Sequence, residues 1–126
     1  MSMKRQIITY TTAADGSATA YAPSPNTILG ELYAIHYRPG TTDTGATVTV
    51  TCESDSSKPL LTKATAGTSN AWFYPRDLVH AVLDGAALTG TSGGDRCKPL
   101  INGKLRLVVA SGGNATTGSV VIYYED

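Results

Sequence analysis

The sequence predicts an all-β domain, an antiparallel β-sandwich of jelly-roll-like character, and three observations carry that expectation. Apolar and polar residues alternate with the period of two that marks half-buried strands. Gly, Pro, Asn and Asp punctuation recurs at intervals of about ten residues, the rhythm of strand-and-turn units in sandwiches. The last quarter of the chain, residues 100–126, ends in sheet pattern with no polar tail beyond Glu125 and Asp126.

Residues 7–12, Ile-Ile-Thr-Tyr-Thr-Thr, are β-branched or aromatic and read as the first strand. Asp15-Gly16 is a tight-turn signature, so residues 18–22 are expected to return as a hairpin partner, ended by Pro23 and Pro25. Residues 28–38 form the longest candidate strand. Strict alternation puts Leu32 and Ala34 on one face and Tyr33, Ile35 and Tyr37 on the other. Both faces are partly apolar, which predicts a central strand or one whose outer face meets a partner.

After a loop at 39–45, residues 46–53 alternate cleanly. Val48, Val50 and Cys52 should be buried, with Thr47, Thr49, Thr51 and Glu53 in water. A turn at 54–59 leads to a short strand at 60–63. Ala71-Trp72-Phe73-Tyr74 is a dense aromatic run stopped by Pro75. It reads as a core strand with Trp72 plugging the sandwich, and with Tyr74 and Arg76 facing a partner. From 76 to 99 the pattern breaks. Leu78, Val79, Val82 and Leu83 fit helical spacing, so a short helix or irregular excursion is expected there.

Asn102-Gly103 between apolar residues predicts a hairpin leading into the strand at 105–110. The Gly-rich loop at 111–118 then precedes the closing strand at 120–124. The chain is expected to form one domain over residues 1–126. Residues 1–5 are expected to be an extended N-terminal arm whose Lys4 and Arg5 reach a neighbouring subunit.

Composition narrows the function. Of 126 residues, 41% are hydrophobic and 16% charged, with ten acidic and ten basic side chains and a formal net charge of zero. A nucleic-acid binder needs a clustered basic excess, so that class is set aside. No apolar run has the length of a membrane-spanning helix. The basic start is followed by a stretch too short and polar for a signal-peptide core, so synthesis in a cytoplasm without export is expected. Cys52 and Cys97 are then expected as free thiols.

His36 and His80 have no companions at metal-ligand spacing and read as an ordinary sheet residue and an ordinary loop or helix residue. Asp43, Asp55, Asp77, Asp84 and Asp95 sit in turn-like contexts, and no nucleophile, base and orienting group come together in the pattern. Neither Gly-rich loop continues into a phosphate-binding Gly-Lys-Ser/Thr. The expectation is a non-enzyme without metal or cofactor, and the candidate contact residues are Lys4, Arg5, Tyr74 and Arg76.

One resemblance gives this a direction. The segments Ile8-Thr9-Tyr10-Thr11-Thr12-Ala13-Ala14-Asp15-Gly16-Ser17-Ala18-Thr19-Ala20-Tyr21 and Lys104-Leu105-Arg106-Leu107-Val108-Val109-Ala110-Ser111-Gly112-Gly113-Asn114-Ala115-Thr116-Thr117-Gly118 resemble a group of small structural proteins of tailed bacteriophages. Tyr74-Pro75-Arg76 and Val121-Ile122-Tyr123 fit the same group, and the variable parts lie at 41–70 and 85–99. The resemblance implies a capsid decoration, or cement, protein on the virion exterior that binds the major capsid protein. It also implies a homo-oligomer, dimer or trimer. Two other readings are a head–tail connector or tail component, and a carbohydrate- or receptor-binding sandwich using Trp72, Tyr74 and surface tyrosines.

Overall fold

The computed structural model describes residues 3–23, 27–52, 59–78 and 96–125, and within them the alternating sequence resolves into strands and no helix. The strands are β1 (Met3–Thr11), β2 (Ala18–Tyr21), β3 (Ile28–Arg38), β4 (Thr47–Cys52), β5 (Leu61–Lys63), β6 (Ala71–Phe73), β7 (Asp77–Leu78), β8 (Arg96–Cys97), β9 (Leu100–Gly103), β10 (Leu105–Ala110) and β11 (Thr117–Glu125). Two antiparallel sheets pack face to face as a β-sandwich. The larger runs β1-β11-β3, with β6 and β9 both against the far side of β3; the smaller runs β2-β10-β4-β5.

Between them, Ile8 and Tyr10 of β1, Leu32, Ile35 and Tyr37 of β3, and Val120 and Ile122 of β11 meet Val48 and Val50 of β4 and Leu105, Leu107 and Val109 of β10. All of these side chains are buried. Cys52 joins this core at the end of β4, in the row the sequence assigned to it. Thr51, expected in water, is buried as well.

The turn signals are present, but two of them do not make hairpins. At Asp15-Gly16 the chain does reverse: Ala13 N–H donates to Ser17 O, and Gly16 sits at φ 84°. Yet β2 pairs with β10, not with β1. Likewise Gly103, at φ 126°, turns the chain between β9 and β10, but β9 pairs with β3 and β10 with β2 and β4. Both turns are corners between the sheets. A turn residue fixes only where the chain reverses. Burial bears on which sheet receives the next strand: β10 buries Leu105, Leu107 and Val109 in the core, and β2 beside it packs Ala18 and Ala20 against that core.

Three other expectations change. Met3, Lys4 and Arg5, expected in an arm ahead of the first strand, are part of β1 and pair with Glu125, Tyr124 and Tyr123. Asp77 and Leu78, expected to open a helix, pair instead with Cys97 and Arg96. The rest of that excursion, residues 79–95 with His80, lies outside the described residues, as do residues 1–2 and Glu53. Trp72 is not in the core. In the three-residue edge strand β6 it is Phe73 that packs on the core, so alternation turns Trp72 outward.

Candidate functional site

The outer face of the large sheet carries the feature that composition alone concealed. On β1 the outward row is Met3, Arg5, Ile7 and Thr9, because Gln6, Ile8 and Tyr10 point inward. Register then lays Tyr123, Val121 and Ser119 of β11 beside Arg5, Ile7 and Thr9. Beyond β11 come Ala34, His36 and Arg38 of β3, and beyond His36 comes Trp72.

A register shift gives this face its shape. Tyr123 pairs with Ala34 while the next residue, Tyr124, pairs with Leu32, so Tyr33 is an extra residue in β3. Such a bulge interrupts alternation and re-aims side chains. Leu32 and Ile35 stay in the core, whereas Tyr33 and Ala34 both line the outer surface. This corrects the strict alternation expected for β3, which put Tyr33 with Ile35 and Tyr37 and placed Ala34 with Leu32.

The result is an aromatic cup. Ala34, Met3, Tyr33, Trp72, Tyr74 and Tyr123 line a cavity of about 330 Å³ open to solvent. Among these, Ala34 is 1% exposed, whereas Trp72 is 49%, Tyr74 57% and Tyr33 40% exposed. His36 stacks on Trp72 with centroids 4.1 Å apart, Tyr123 lies tilted 5.4 Å from Trp72, and Tyr33 meets Tyr74 edge to face at 6.5 Å. Rings that brace one another lose little freedom on binding, which makes them effective anchors.

The rim is charged. Arg76 Nη1 donates to the carbonyl oxygens of Tyr33 (3.0 Å) and Pro75 (2.7 Å), and its guanidinium lies 5.8 Å from the Tyr33 ring centroid. Lys98 Nζ lies 5.7 Å from the same centroid and bridges to Glu125 at 2.9 Å. Within the face, Arg38 Nε donates to His36 Nδ1 at 3.2 Å. Burial first, and the Arg38 charge second, hold the His36 imidazole below the usual histidine range, so at neutral pH it is uncharged.

Of the four residues singled out from sequence, Tyr74 and Arg76 are wall and rim of the cup, and Arg5 lies on the same face beside Tyr123. Lys4 does not join them: it belongs to the β1 row that faces the other sheet. Sequence reading missed Tyr33, Ala34 and Tyr123. The available signal was the apolar character of both faces of β3.

Among the described residues, no group of three or more His, Cys, Asp or Glu side chains is placed to hold a metal ion. Gly90-Thr91-Ser92-Gly93-Gly94 has Gly-x-Ser-x-Gly spacing, but it lies outside the described residues. The described site offers exposed ring surface flanked by the cations of Arg76 and Lys98. Compared with known proteins, the chain matches no family model, no curated protein and no solved structure.

Proposed function

We propose that this chain is a structural protein of a tailed-bacteriophage virion, a capsid decoration protein whose aromatic cup docks onto the major capsid protein at the outer surface of the shell. The observation that carries this reading is the cup itself. Three half-exposed rings over a buried alanine, flanked by arginine and lysine, have the composition of an interface hot spot. The segments resembling small phage structural proteins supply the setting, and Tyr74-Pro75-Arg76 is both part of that resemblance and part of the cup.

A cement protein works by spanning neighbouring subunits so that separating them must break its contacts. That task needs complementary area and rigidity. Many copies on one shell add avidity, since each further contact is effectively intramolecular. The test is copy number in purified particles by quantitative mass spectrometry. Hundreds of copies support shell decoration. A dozen or fewer support the head–tail connector reading instead. The ring-lined cup also suits a sugar, and saturable binding to a glycan array, with no affinity for shells, favours the carbohydrate-binding reading.

A further inference from the structure

We propose that two copies of this chain pair edge to edge through β1, in antiparallel register about Ile7, to form one continuous sheet. This stands independently of what the aromatic cup meets. β1 is a terminal strand of its sheet: it pairs with β11 on one side, and among the described residues no strand pairs with its other side. Thr12 N–H donates to Thr116 O, directly in line with the β1–β11 register. In an antiparallel ladder, hydrogen-bonding direction alternates along the strand. Lys4, Gln6, Ile8 and Tyr10 therefore turn their backbone groups toward β11. Met3, Arg5, Ile7, Thr9 and Thr11 turn theirs to the open edge.

A nine-residue edge of this kind is a pairing template unless something blunts it. β1 contains no proline, its register with β11 runs without a shift, and its two charges, Lys4 and Arg5, stand together at one end. That asymmetry selects a second copy and a register. With a two-fold axis at Ile7, Arg5 faces the partner's Thr9, Met3 faces the partner's Thr11, and Ile7 faces its own symmetry mate. Each of these pairs exchanges two hydrogen bonds. An axis at Arg5 would set guanidinium against guanidinium, and an axis at Thr9 would leave half the strand unpaired. The Ile7 register also covers two exposed apolar side chains, Met3 at 51% and Ile7 at 40%. The two aromatic cups then lie on one continuous outer face, where they bind a repetitive partner jointly.

An edge pair alone is small for an interface, so the dimer is expected to be weak and concentration-dependent. The most direct test is amide hydrogen exchange on the intact chain, from about 10 μM to about 1 mM. The amides of Gln6, Ile8 and Tyr10 are held by β11 at every concentration. The amides of Arg5, Ile7 and Thr9 should exchange at least about tenfold more slowly at the high end, tracking dimer mass by sedimentation.

Two variants check the register. Thr9→Pro removes only an outward-facing donor, a position where edge strands accept proline, and should stay monomeric with unchanged protection of Ile8. In a Cys97→Ser background, Ile7→Cys should cross-link to itself on oxidation, because paired residues place their Cα atoms about 5.5 Å apart. Arg5→Cys alone should not, since its mate lies about 14 Å away, but mixed with Thr9→Cys it should. Fast exchange of the Arg5, Ile7 and Thr9 amides at every concentration would overturn the proposal. So would self-cross-linking of Arg5→Cys, or a dimer that persists in Thr9→Pro.

Discussion

The imidazole of His36 lies flat against the indole of Trp72, ring centroids 4.1 Å apart and planes 5° from parallel. The pair spans β3 and β6 at directly opposed positions, so the short edge strand β6 is held to the long strand β3 by the face that also forms the cup. His36 Nδ1 accepts a hydrogen bond from Arg38, which requires that nitrogen to be unprotonated.

The stack should therefore be pH-sensitive. His36 titrates below its ordinary value of 6.5, through burial and the neighbouring Arg38 charge. A depressed histidine pKa means the unfolded chain takes up the proton first. The contribution to stability is present above pH 6.5 and is lost as pH falls through the lower folded value. The chain has one tryptophan, so its fluorescence reports the surroundings of Trp72, His36 among them. A fluorescence titration should show a transition below pH 6.5 that His36→Asn abolishes. A flat profile in the wild type would refute the pairing.

Trp72→Ala should be mild in the isolated protein. A half-exposed ring forfeits its stacking contacts, about 1 kcal/mol, and not the 3–5 kcal/mol of a buried tryptophan. Phe73→Ala should cost more, because that ring packs on the core. Thermal melts of the two variants rank them. A larger loss for Trp72→Ala would mean that β6 is turned over.

The two thiols should differ by orders of magnitude in accessibility. Cys52 is buried and Cys97 exposed, and both are free. Thiol labelling of native protein should modify Cys97 alone, with Cys52 reacting only on unfolding. Equal labelling rates would show that β4 opens.

Gly118 and Tyr37 make opposite predictions about the interior. A Cβ at Gly118 would meet the Tyr10 hydroxyl and would sit 2.7 Å from Pro39 O, so Gly118→Ala should destabilise by about 1–3 kcal/mol. Tyr10 Oη is itself bonded to Thr42 Oγ1 at 2.6 Å, a buried contact that any retreat would break. Among the described residues the buried Tyr37 hydroxyl has no hydrogen-bond partner of good geometry, and burial first, with the neighbouring Tyr10 hydroxyl second, pushes its pKa up. Tyr37→Phe should be neutral or stabilising, since removing an unpaired buried hydroxyl removes a penalty. Denaturant midpoints of the two variants should move in opposite directions, or only the first should move.

What was legible in the sequence was whatever depends on local pattern. The alternation of Val48, Val50 and Cys52 fixed the buried face of β4, and Leu105, Leu107 and Val109 fixed that of β10. Turn chemistry at Gly16 and Gly103 marked reversals but not pairings, because partner choice depends on burial across the whole sandwich. The cup depended on the bulge at Tyr33, one inserted residue set by pairing with β11 and invisible to a period-two reading of β3. Trp72 was misplaced because a three-residue strand carries too little alternation to choose a face.

Titration of shells that lack this protein shows whether the aromatic cup is the surface that meets the capsid. Wild type is compared with Trp72→Ala, Tyr74→Ala and a control, Leu29→Ala, whose side chain is 69% exposed and outside the cup. Each cup variant should weaken binding by about thirtyfold or more, the loss of a hot-spot side chain, while the control binds as wild type and all melt within a few degrees of one another. Cup variants that bind shells with wild-type affinity would contradict that reading of the cup.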